Sequence, residues 1–201
     1  MTRIKKQFEF LLEMDKEKTI QRQTRCTDQH MEDDAQHAWH IALSALILSE
    51  YANEPIDILK VVSMLLIHDV VEIDAGDTFA YDEKRRATAH EREQKGANRL
   101  FAILPEDQKE KYLSLWEEFE EAKTPEAKFA HAMDNVQPVM LNSADDGYMW
   151  VKNKVKLSQI LKRQQGTREG SEILYKYVLD EFLKKNVENK KIVKDCEFGD
   201  D

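Results

Sequence analysis

Along most of this 201-residue chain, apolar positions recur every three or four residues, the spacing that lines up one face of an α-helix. Ile4, Phe8, Leu11 and Leu12 stand among charges in the segment 4–20 and predict an amphipathic helix that packs through that stripe. The period lapses over 21–34, a polar stretch that suits a loop lying beside a site. It resumes over 35–52, where Asp33 or Asp34 can cap a helix that aligns His37, Ile41, Ser44 or Ala45, and Leu48 on one face. Small residues there allow another helix close. A break holding Pro55 follows, and then residues 56–71 are apolar nearly all round, which predicts one helix buried at the centre.

Further on, Gly76 permits a tight bend, and residues 79–93 are strongly charged. Helical spacing returns through Ala97, Leu100, Phe101 and Leu104, and again through Tyr112, Leu115, Trp116 and Phe119. Thr124 and Pro125 mark another helix start, and Pro138 removes the N–H that would bond the carbonyl of Asp134, so a kink is expected there. Helices up to about Arg163 and over 172–183 complete the set, with residues 189–201 expected to fray. Neither a repeat nor a linker divides the chain. The pattern predicts an all-α bundle in one domain, 1–201, with its core at about 10–145 and C-terminal helices within 150–188.

Composition narrows the function. With 41% hydrophobic and 34% charged residues, and only 6 Gly and 4 Pro, the chain suits a soluble helical protein. A net charge of -9 argues against nucleic acid as the main partner, since such binding relies on dense Lys/Arg surfaces. Apolar runs fall short of a membrane span, and the first residues lack a signal-peptide core. Cys26 and Cys196 lack pairing or zinc spacing, which makes the cytoplasm the default compartment.

The chemistry stands out against this background. His68 and Asp69 interrupt an apolar run, and on a helix Glu72 would share their surface. Buried carboxylates survive by pairing or by holding a cation. Asp134, at the expected kink, sits in another apolar segment, while His37, with His40 as its competitor, begins a third. His37, His68, Asp69 and Asp134 together offer two imidazoles and two carboxylates, a donor set for one divalent ion such as Mn, Co, Fe, Ni, Zn or Mg, with coordination positions left for water and substrate. Asp77 can swing back over the helix end. Arg22 and Arg25 become phosphate forks if their loop borders the metal. Lys84, Arg85 and His90 could belong to a lid, and His90 could be a further ligand.

His37, then His68-Asp69, then Asp134 resemble the H…HD…D signature of the HD-domain metal-dependent phosphohydrolases. Gln36-His37-Ala-Trp-His-Ile-Ala, His68-Asp-Val-Val-Glu72, Gly76-Asp-Thr and Phe129-Ala-His-Ala-Met-Asp134-Asn-Val-Gln-Pro resemble the branch of 5'-deoxynucleotidases, over about residues 10–145. The resemblance implies an HD-domain helical bundle around a single divalent ion, hydrolysis of nucleoside monophosphates, and a homodimer. It also implies that Glu72 and Asp77 belong to the active site and that Arg22 contacts the substrate phosphate; in the mechanism expected here, Glu72 or Asp77 would orient and deprotonate the attacking water. Two positions depart from the branch: Gln23 stands where a Trp excludes the ribose 2'-hydroxyl, and Gln36 stands where Glu is usual. The first leaves sugar selectivity open; the second bears on how His37 is oriented. The alternatives are hydrolysis of another phosphate ester, such as a cyclic or pyrophosphorylated nucleotide, and a non-catalytic nucleotide sensor.

Overall fold

Thr124 Oγ1 accepts the amide of Ala127 at 3.3 Å, and Pro125 follows it, so the longest helix starts where the sequence places it. In this computed structural model, which describes residues 1–82 and 88–199, that helix is the axis of the molecule. Chain order gives α1 (Arg3–Met14), β1 (Gln21–Arg25), β2 (Met31–Asp33), α2 (Asp34–Leu48), α3 (Ile58–Ile67), α4 (Glu72–Ala75), α5 (Ala89–Phe101) and α6 (Glu106–Glu121). There follow α7 (Pro125–Ala144), α8 (Tyr148–Asn153), α9 (Leu157–Gly170) and α10 (Glu172–Tyr177), which runs through a π-helical stretch (Val178–Leu183) into α11 (Lys184–Glu188). Helices α2, α3, α6 and α9 all pack on α7, whose Phe129, Ala130 and Met133 lie in the main core beside Ile41, Met64 and Leu65.

The centre of the bundle is therefore α7 and not the 56–71 segment. Although α3 buries Val61, Met64 and Leu65, its Leu59 and Leu66 are exposed. It also stops at Ile67, earlier than its apolar run suggests, because side chains take the acceptors that would continue it. The His68 ring bonds the Leu65 carbonyl at 2.9 Å, and Trp116 Nε1 donates to the His68 carbonyl at 3.2 Å. A turn closed by Glu72 N–H on the Asp69 carbonyl (2.8 Å) leads into α4. Pro138, by contrast, lies inside α7 without ending it.

Other expectations change as well. The 21–34 stretch is an antiparallel ribbon, β1 on β2, rather than an open loop. Asp33, not Asp34, caps α2, in a reciprocal pair with Gln36. The Ile4, Phe8, Leu11 and Leu12 stripe of α1 faces outward; Phe10 and Met14 make its contact, Phe10 against Phe101. Residues 189–199, expected to fray, dock instead: Val193 pairs with the backbone of Val155 and Leu157, Ile192 is buried, and Asp195 accepts from Ser158 at the start of α9.

Helices α7 and α9 cross almost backbone to backbone. A Cβ on Gly170 would lie 2.2 Å from the Lys128 carbonyl oxygen, and one on Gly166 would meet Asn135 at 3.0 Å. Gln164 locks the crossing by donating to the Asn135 carbonyl at 3.1 Å. Because Asp134 is on one helix and Arg163 on the other, this crossing sets their separation.

Candidate metal centre

Four of the residues singled out in the sequence converge. His37 Nε2 lies 3.0 Å from Asp134 Oδ1, His68 Nε2 lies 3.0 Å from Asp69 Oδ2, and His68 Nε2 lies 3.9 Å from Asp134 Oδ1. One donor atom from each of His37, His68 and Asp69 falls within 4.8 Å of the other two. A carbonyl can only accept, so the contact of His68 Nδ1 with the Leu65 carbonyl puts the ring proton on Nδ1 and the lone pair of the neutral ring on Nε2. That Nε2 is buried and has no hydrogen-bond partner among the described residues. A buried lone pair facing two carboxylates fits a divalent cation.

His37 is oriented the same way. Its Nδ1 is 3.2 Å from Gln137 Oε1, while the Gln137 amide nitrogen donates to Glu32 and reaches His40 Nδ1 at 3.1 Å. His37 is fully buried and faces the cluster, whereas His40 is part-exposed and bonds to the back of Gln137. Gln36 serves the α2 cap, so Gln137 and not Gln36 holds the His37 ring.

Charges around the cluster are dense. Arg22, on β1, reaches Asp69 Oδ2 at 2.6 Å and Asp34 Oδ1 at 3.3 Å. Burial opposes its charge, but Asp69, Asp134 and Glu72 keep the guanidinium protonated well above its ordinary range. Burial likewise works against the Asp69 carboxylate, and His68 and Arg22 override it, holding Asp69 well below the usual carboxylate range. For His68, burial is outweighed by Asp69 and Asp134, and the ring is pushed up to about 9. Desolvation, then Asp69 and Asp34, raise Glu72 well above the carboxylate range, and its Oε2 has no hydrogen bond among the described residues. Burial followed by Asp69 takes Asp34 to about 7, and burial with Asp69 and Asp34 takes Glu17 to about 8.

His68, Asp69 and Asp134 line a cavity of about 580 Å³. Asp77 and Glu72 line it beside the ligand candidates, and Phe79, Tyr81, Val139, Met149 and Trp150 form an apolar wall. His90 lines it with an exposed side chain near Glu120, and Lys84 and Arg85 fall outside the described residues. Arg25 is not a phosphate fork: it is locked to Asp145 by two 2.7 Å bonds and lies over the Tyr148 ring. Sequence reasoning missed Gln137, Glu32, Asp34 and Arg163. A buried glutamine or a second acid in a capping run carries no local mark. Arg163, on α9, donates to Asp134 Oδ2 at 2.9 Å, and only the helix crossing reveals it.

Comparison with known proteins points the same way. The HD domain family model matches residues 14–175. The 5'-deoxynucleotidase HDDC2 of Bos taurus is 31% identical over 113 residues, 56% of this chain and 53% of that protein. Its Homo sapiens counterpart is 27% identical over 112 residues, with the same shares covered. The chain thus spans about half the length of the curated relatives it matches. A crystal structure from Magnetospirillum magnetotacticum MS-1, described as a predicted metal-dependent phosphohydrolase, aligns with TM-score 0.90 and 43% identity over 95% of this chain and 96% of that one.

Proposed function

Because the chain belongs to the HD-domain family, we propose that it is a metal-dependent phosphomonoesterase that hydrolyses (deoxy)nucleoside 5'-monophosphates to nucleoside and phosphate. The observation that carries this reading is the buried His68 Nε2 lone pair facing Asp69 and Asp134, with His37 beside them. His37, His68, Asp69 and Asp134 would hold one divalent ion, which when bound supplies positive charge to a phosphoryl oxygen. Arg22 holds the phosphate through guanidinium N–H groups not engaged by Asp69 and Asp34. Glu72, helped by Asp77, orients a water and takes its proton as the water oxygen bonds to phosphorus. The bond from phosphorus to the sugar oxygen breaks, and that oxygen takes up the proton that Glu72 received, which restores the carboxylate. Positive charge near Glu72 brings its carboxyl back to the ionised form that this step needs.

The size of the cavity supports a nucleotide. An ion and a phosphate fill only part of about 580 Å³, and the aromatic and aliphatic wall suits a flat base. Gln23 also lines the cavity, which supports acceptance of ribose as well as deoxyribose. An exposed apolar surface on α2 and α3 supports a homodimer. Cys26 and Cys196 are both free, in keeping with a reducing cytoplasm.

The test is phosphate release from ribo- and deoxynucleoside monophosphates with each of several divalent ions, before and after chelation. Asp69→Ala should abolish release, whereas Glu72→Ala should still bind the ion but lose roughly 100-fold or more in turnover. Full activity in Asp69→Ala would overturn the assignment.

A further inference from the structure

We propose that Arg163 is a second phosphate-binding residue, which grips the substrate phosphate from the α9 wall while Arg22 grips it from β1. This extends the phosphohydrolase reading and rests on it. Arg163 lines the cavity, and its side chain keeps 23% of its surface open. One of its terminal nitrogens is committed to Asp134 Oδ2, which leaves Asp134 Oδ1 facing His37 and His68. A guanidinium carries five N–H donors in a rigid fork, so it can hold a carboxylate with one edge and offer the rest to a phosphate oxygen.

Charge balance asks for such a group. Asp69, Glu72, Asp77 and Asp134 all line the cavity. With Glu93 and Glu120 the lining carries six carboxylates, so a divalent ion, Arg22 and Lys162 together bring four positive charges against six negative ones, and an arriving phosphate dianion would meet a site still short of positive charge. Arg163 supplies the next one. Its position is not left to a mobile chain, because Gly166 and Gly170 bring α9 against α7 and Gln164 ties the two helices together. Arg22 and Arg163 thus each pair with a different candidate ligand carboxylate, and both reach the same cavity.

The experiment is titration of inorganic phosphate into the Mn²⁺-saturated full-length protein by calorimetry, with Mn²⁺ affinity and steady-state constants measured in parallel. Arg163→Gln should weaken phosphate binding and raise KM at least about tenfold. Arg163→Lys, which keeps the charge but cannot span Asp134 and a phosphate at once, should lose about threefold or more. Phosphate affinity within twofold of wild type in either folded variant overturns the proposal, even where Mn²⁺ binding has weakened, since Arg163 would then only position Asp134. Wild-type protein that binds no phosphate overturns it too. If wild-type protein binds phosphate in an Arg163-dependent way but releases none from nucleotides, Arg163 keeps its role and the nucleotidase reading is what fails.

Discussion

His37 is a ligand candidate because of Gln137. The Gln137 amide, 1% exposed, draws the ring proton to Nδ1 from 3.2 Å, against Asp134 Oδ1 at 3.0 Å from Nε2, and Glu32 fixes the amide in turn. Gln137→Leu removes the acceptor, frees the ring to take the other tautomer, and strands Glu32 without its donor. Divalent-ion affinity should fall roughly 10- to 100-fold while the helical circular dichroism is kept. Calorimetric titration with Mn²⁺ reads this directly, and an unchanged dissociation constant would show that Gln137 does not set the ring.

Among the elements, the crossing of α7 and α9 governs the geometry. At Gly170 a methyl group would run into the backbone of Lys128 and Phe129, which cannot give way as a side-chain tip could. Gly170→Ala should therefore cost about 2–3 kcal/mol, enough to lower the melting temperature by roughly 5–10 °C in a domain of this size. A melting point within about 2 °C of wild type in scanning calorimetry would mean that the helices can part without loss. The elements themselves were legible where caps and periodicity agree, as at Thr124-Pro125. They were less so where tertiary contacts override local pattern. The apolar run at 56–71 continues past Ile67, yet the His68 ring and Trp116 end the helix there. The stripe on α1 has the right period but points outward, and the docking of residues 189–199 depends on partners at 155–158, which a scan for local pattern does not pair.

At the level of the whole molecule, Trp39, Leu43, Leu46 and Ile47 on α2 and Leu59 and Leu66 on α3 are all exposed. Scattered apolar residues are ordinary, but six on two adjoining helices suit an interface between copies. Trp39→Glu with Leu43→Glu should convert a dimer to a monomer in light scattering at micromolar concentration. A monomeric wild type, or a dimeric double variant, would remove that surface from consideration. The candidate site was more legible than its surroundings. His68, Asp69 and Asp134 announce themselves as polar residues inside apolar runs, a contrast visible in one dimension. Arg163 sits in the polar run Lys162-Arg163-Gln164-Gln165, where nothing local separates it from a solvated side chain.

The same convergence has a thermodynamic side. A cation held jointly by side chains from α2, the α3–α4 junction and α7 can be gripped only when those segments have come together, so binding and folding draw on one equilibrium. For such a protein a chelator is a mild denaturant, and heat resistance becomes a gauge of how much free ion the surroundings supply.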